Sequence, residues 1–297
     1  MKKRKLKIFF PVDVPTIKKA REIMEKVADH VDVFKLGHEF TYSLGLPLAV
    51  EIATEFGQRI MVDSKLSDIP TTVAAGATSI AWKNVDYLNF AVGNCQKSAL
   101  VAAVNAIKII EPELREKGII VPEFIAVALM TSWNVDDIIE HGIYLPPWWK
   151  FDKDSEVQFE NIVEMAEAEV GGIIKNWEGE RELRLRPEGK AEEDSFMTYV
   201  ALKWARVANE AGIKTLLSSP REAPAFRRVF PDCSFVSPGI RPPWAKKNDQ
   251  KRTMTPYQAA QAWVDNLVVG RPIRDARDPA EAARRIREDW EKGVAEM

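Results

Sequence analysis

Eight short apolar runs punctuate the chain, at 7–13, 31–37, 59–65, 87–92, 123–130, 215–219, 234–239 and 266–270. They are apolar through most of their length instead of alternating, as strands of a parallel sheet buried on both faces are. Helical patterns stand between them. After Pro15-Thr16, residues Ile17, Ala20, Ile23, Met24 and Val27 recur at the i, i+3, i+4, i+7 spacing of one helix face. Residues 98–110 and 256–263 repeat the pattern, and Asp278-Pro279 supplies a cap and a first-turn proline for a last helix. Strands alternating with helices imply right-handed parallel crossovers. Eight such units predict an α/β chain folded as a (β/α)8 TIM barrel, a fold of typically ~250 residues.

The chain has 297 residues, and the excess over one barrel has an address. The rhythm breaks over 143–195, after the strand-5 region. Tyr144-Leu145-Pro146-Pro147-Trp148-Trp149 cannot continue as a helix through its prolines. A helix-like stretch with Phe159, Ile162, Val163, Ala166, Val170, Ile173 and Trp177 on one face follows, then a polar tract over 178–194. We therefore read one barrel domain over 1–297 carrying an acidic, Trp-containing insertion at 143–195. That segment has seven basic and fourteen acidic residues, a net of −7, which leaves +5 on the rest of a chain whose total is −2.

The near-neutral total argues against a nucleic-acid partner held by bulk charge. Two cysteines, Cys95 and Cys233, make no disulfide framework and fit a reducing, cytoplasmic setting. No apolar run approaches the ~20 residues that span a bilayer. The basic start, Met1-Lys2-Lys3-Arg4-Lys5, resembles a signal n-region, but Asp13 and two prolines interrupt what would follow.

Barrel enzymes work at the C-terminal ends of their strands. Asp13 ends the first run, Lys35 stands near the end of the second, Asp63 and Lys65 end the third, and Asp68 follows in the next loop. Alternate residues of a strand share a face, so Asp63 and Lys65 point the same way. Charges that interrupt buried runs need partners, and several converging on one barrel mouth suggest a tuned site. At the seventh and eighth runs, Gly239-Ile240-Arg241-Pro242 and Gly270-Arg271-Pro272 offer backbone N–H groups and guanidinium forks where barrels hold phosphate. His30, His38 and His141 have no metal-ligand spacing, and neither a Walker loop nor G-x-G-x-x-G is present. Lys251 and Arg252 form a short basic patch, either an anion-binding loop or a solvated one.

Together these residues resemble the orotidine 5′-monophosphate decarboxylase family. Asp63-Ser64-Lys65-Leu66-Ser67-Asp68-Ile69-Pro70-Thr71-Thr72 is similar to its D-x-K-x-x-D-I-P-x-T signature, and Phe34-Lys35-Leu36-Gly37 to its strand-2 lysine motif. Ser237-Pro238-Gly239-Ile240-Arg241-Pro242, Asp249-Gln250-Lys251-Arg252 and Val269-Gly270-Arg271-Pro272 look like its phosphate end. The likeness runs over about 7–142 and 196–285.

The resemblance implies a cofactor-independent decarboxylase making UMP in pyrimidine biosynthesis, with no metal. It implies a charged network of Lys35, Asp63, Lys65 and Asp68, with Lys65 protonating C6. Asp68 and Thr72 would reach a partner's site in a homodimer. Asp13 would contact ribose, Thr131 with Ser132 the pyrimidine, and Arg241, Gln250, Gly270 and Arg271 the phosphate. Three departures stand out: Asn89-Phe90-Ala91-Val92-Gly93-Asn94 lacks the family's strand-4 histidine, Pro11-Val12-Asp13 replaces a small apolar approach to the first aspartate, and the resemblance says nothing of the 143–195 insertion after the strand-5 region. The alternatives are a related barrel acting on a sugar phosphate, a 3-keto-gulonate 6-phosphate decarboxylase or hexulose-phosphate synthase type, and a non-catalytic nucleotide-binding scaffold. The former relatives usually carry a carboxylate where Lys35 stands.

Overall fold

The computed structural model describes residues 4–143, 187, 189–245 and 252–297. Among them, eight parallel strands close into a barrel in chain order: β1 (Lys7–Pro11), β2 (Val33–Leu36), β3 (Arg59–Leu66), β4 (Tyr87–Ala91), β5 (Glu123–Val127), β6 (Thr215–Leu217), β7 (Ser234–Ser237) and β8 (Asn266–Val268). Closure is through β1 and β8, with Ile8 opposite Leu267. The predicted fold class is the observed one.

Why the runs are apolar throughout is visible in their two destinations. One set of side chains fills the barrel: Phe9, Val33, Met61, Tyr87, Ile125 and Val268 among them. The alternate set, including Ile8, Phe34, Leu88 and Leu267, packs outward under the helices. Both faces are dry, so neither can be polar.

The helices are α1 (Ile17–Val27), α2 (His38–Leu44), α3 (Leu46–Thr54), α4 (Pro70–Ala81), α5 (Lys97–Glu116), α6 (Val135–Glu140), α7 (Lys190–Glu210), α8 (Ala223–Val229), α9 (Pro256–Gln261), α10 (Arg271–Arg274) and α11 (Pro279–Ala295). Their starts follow capping chemistry. Thr16 accepts from the Lys19 N–H, Asp278 from that of Glu281, and Thr255 forms a reciprocal capping box with Gln258. The pattern expected over 98–110 extends to Glu116, passing through Pro112. That over 256–263 stops at Gln261, two residues before Trp263 turns left-handed at φ +64°.

The segment read as inserted, 143–195, lies largely outside the described residues, as do its aromatic cluster and most of its polar tract. Its end is a barrel helix: α7 begins at Lys190 and buries Phe196, Tyr199 and Val200 in the core. No helix among the described residues is long and apolar enough to cross a membrane.

Candidate active site

The mouth of the barrel is built around Asp63, which is 7 % exposed. One of its oxygens accepts from Lys35 Nζ at 2.5 Å; the other accepts from Lys65 Nζ at 2.8 Å and Asn89 Nδ2 at 2.6 Å. Burial alone would raise its carboxyl pKa, but the ammonium groups of Lys35 and Lys65 outweigh that and hold it well below the carboxylate range. Burial likewise works against the Lys35 ammonium, yet Asp63 and Asp13 raise its pKa on balance. Gly37 lets Asp13 approach: a Cβ there would stand 2.6 Å from Asp13 Oδ1 and 3.6 Å from Lys35 Nζ.

Regular strand alternation does not by itself aim Asp63 and Lys65. The ladder between β3 and β4 shifts between Val62 and Leu66, so the intervening residues leave the pairing. Lys65 takes φ +48°, a conformation that costs a non-glycine residue ~1–2 kcal/mol. Asn89 supports it, its Oδ1 accepting the Lys65 N–H at 2.7 Å while its amide nitrogen donates to Asp63. Asn89 is 1 % exposed in the middle of β4, the first residue of the 89–94 segment that lacks the family's histidine.

At the opposite rim, Gly239 (φ +78°) turns the chain after β7 and Arg241 follows, buried, its Nη1 donating to Ile240 O at 2.8 Å. Gly270 precedes α10 and faces Pro11, whose Cγ would make ordinary van der Waals contact at 3.4 Å with a Cβ there. Arg271 begins α10 and borders a cleft of about 700 Å³ shared with Trp244, Arg277 and Arg285. Such paired Gly-Arg rims at adjacent strands suit an anion held by backbone N–H groups and guanidinium forks.

With this geometry in place, comparison with known proteins gives a consistent answer. The model of the Orotidine 5′-phosphate decarboxylase / HUMPS family matches residues 7–175 and 188–286. The chain belongs to this family. An orotidine 5′-phosphate decarboxylase of Syntrophomonas wolfei is 31% identical, covering 94% of this chain and 95% of the relative. That of Moorella thermoacetica is 32% identical, covering 94% and 90%. Among solved structures, orotidine 5′-phosphate decarboxylase from Lactobacillus acidophilus superposes with a TM-score of 0.66 at 23% identity, over 96% of this chain and 99% of that one. The family match runs to residue 175, well into the segment set apart above as an insertion.

The residues expected from the orotidine 5′-phosphate decarboxylase family's motifs differ in where they stand. Lys35, Asp63, Lys65 and Asp13 converge. Asp68 and Thr72 are exposed, and the Asp68 carboxylate accepts from its neighbour Ile69 N–H at 2.6 Å; no hydrogen bond or ion pair among the described residues joins it to Lys35, Asp63 or Lys65. Thr131 is buried after β5 and Ser132 beside it is exposed. Gln250 lies outside the described residues. His38 sits at the rim, its ring stacked on Tyr42 with centroids 5.0 Å apart.

Of three further buried polar residues, the sequence pointed to Asn89 and Arg252 without their contacts and did not point to Glu222. Asn89 was read only as part of a segment without a histidine, although an amide inside an apolar run was a signal. Glu222 and Arg252 are a buried ion pair; Arg252, noted above as anion-binding or solvated, is only 5 % exposed.

Proposed function

We propose that this chain decarboxylates orotidine 5′-monophosphate to UMP, the closing step of de novo pyrimidine synthesis, without a cofactor. The observation that carries the reading is the Lys35–Asp63–Lys65 array, two ammonium groups on one buried carboxylate, in a chain of this family. In the step itself the bond from C6 to the carboxylate carbon breaks and its electron pair stays on C6. The Lys65 ammonium lies where that charge develops and transfers its proton to C6, after which solvent reprotonates the amine. A fixed cation in a water-poor site stabilises such a carbanion far better than water does. Asp63 keeps Lys65 in place, and Lys35 balances Asp63 on its other side.

Asp13 is assigned to the ribose, Thr131 and Ser132 to the pyrimidine, and Arg241, Gln250, Gly270 and Arg271 to the phosphate. The remote phosphate supplies binding energy used at the ring. The exposed Asp68 and Thr72 fit a homodimer in which each chain completes its partner's site. Both cysteines are free and buried, which fits the reducing cytoplasm.

The test is the fall in orotidylate absorbance with purified protein, with and without a chelator. Turnover in both, with none on ketose phosphates, is expected; turnover of a ketose phosphate in place of orotidylate would select the sugar-phosphate alternative.

A further inference from the structure

Beneath the phosphate end lies an ion pair that the chemistry above does not use. Glu222, between β6 and α8, is fully buried; Arg252, just ahead of α9, is 5 % exposed and faces it. Charges at that depth destabilise a fold unless paired and oriented. Here the orientation comes from both flanking strands: Ser218 Oγ donates to Glu222 Oε2 at 2.8 Å, and Ser237 Oγ donates to Ser218 O at 2.9 Å. The neighbouring cation Arg221 pairs with Asp194 at 3.0 Å, and the Asp194 charge also supports the Arg252 cation, whose direct ion-pair partner is Glu222. Burial pushes the Arg252 guanidinium down to about 10, so it remains a cation at neutral pH.

What Arg252 anchors is visible two residues on. Met254 donates its N–H to Gly239 O at 3.3 Å and accepts from the Arg241 N–H at 2.8 Å, clasping Ile240 in an isolated parallel bridge. A continuous path therefore runs from the end of β6 through Glu222, Arg252 and Met254 to Arg241. Forked recognition of a phosphate tolerates misplacement of only ~0.5 Å, so the backbone carrying the fork has to be held.

We propose that Glu222 and Arg252 are positioning residues for the phosphate site, acting through Arg241. Their pair holds 252–254 against 239–241 and thereby sets the Arg241 guanidinium. This rests on the substrate reading given above and extends it to two residues outside the mouth.

The test compares Glu222→Gln with the unaltered full-length protein by calorimetric binding of UMP and of uridine, together with steady-state kinetics. We expect UMP affinity to fall about tenfold or more while uridine affinity stays within about twofold, with kcat/KM falling through KM. Glu222→Asp, which keeps the charge, should recover part of the loss. Equal losses for UMP and uridine, or unchanged UMP affinity, overturn the proposal. Should Glu222→Gln fail to fold, Ser218→Ala frees one carboxylate oxygen and should weaken UMP alone, by about two- to fivefold; no change, or an equal change for uridine, is again a refutation. An unaltered protein that neither binds UMP nor consumes orotidylate overturns the substrate reading and this inference with it, whereas normal turnover with unaffected variants overturns the positioning role alone.

Discussion

At Lys65 a backbone exception and a catalytic assignment coincide. Its ammonium is the only group assigned to deliver a proton, so Lys65→Ala should lower kcat by about 10³-fold or more while circular dichroism stays native. Activity within tenfold of the unaltered enzyme would remove Lys65 from the mechanism. Asn89 gives a finer test. Asn89→Ala strips Asp63 of one donor and leaves the part-buried Lys65 N–H without its Asn89 acceptor. We expect a loss of about 1–3 kcal/mol in unfolding free energy from denaturant titration. A fall of about 10- to 100-fold in kcat should accompany it, because the ammonium loses its support. Residues of this kind are hard to read in a sequence. An amide in an apolar run is compatible with a packed core position or with a site, and only its distance to Asp63 decides.

The end of β3 is where an element's regularity gives way to a site, and its charges should set the protein's response to pH. Asp63 has a depressed folded pKa, so its contribution to stability is present above the unfolded value of ~3.9 and is lost as pH falls through the folded value. Lys35 is raised; its contribution is complete below ~10.4 and lost as pH rises through the folded value. Melting temperatures of Asp63→Asn should therefore lie below those of the unaltered protein at neutral pH and converge with them on acidification below pH ~4. Parallel curves would contradict the assigned pairing. Strand ends also mark the limit of what patterning reveals. The run at 215–219 is buried to its end, yet only Thr215–Leu217 forms β6, because burial continues into the loop after the ladder stops. Hydrophobic periodicity reports dryness, not hydrogen bonding, so it located every strand and overran several of their ends.

For the whole molecule, the sequence disclosed the barrel because eight both-sides-buried runs have few other architectures open to them. It left Glu222 and Arg252 unpaired, since a contact across thirty residues has no local signature. It also left Asp68 and Thr72 at the surface of one chain, and a second chain is the natural test. Co-expressing Lys65→Ala with Asp68→Ala chains should regenerate one intact site per mixed dimer, hence about one quarter of normal activity under random pairing. A mixture as inactive as its components would mean that each chain's site is self-contained.

The left-handed turn at Lys65 has a consequence for directed evolution of this protein. A glycine there would relax the backbone, so Lys65→Gly should melt above Lys65→Ala. A library screened for heat resistance without an activity gate would drift away from the lysine, trading function for durability.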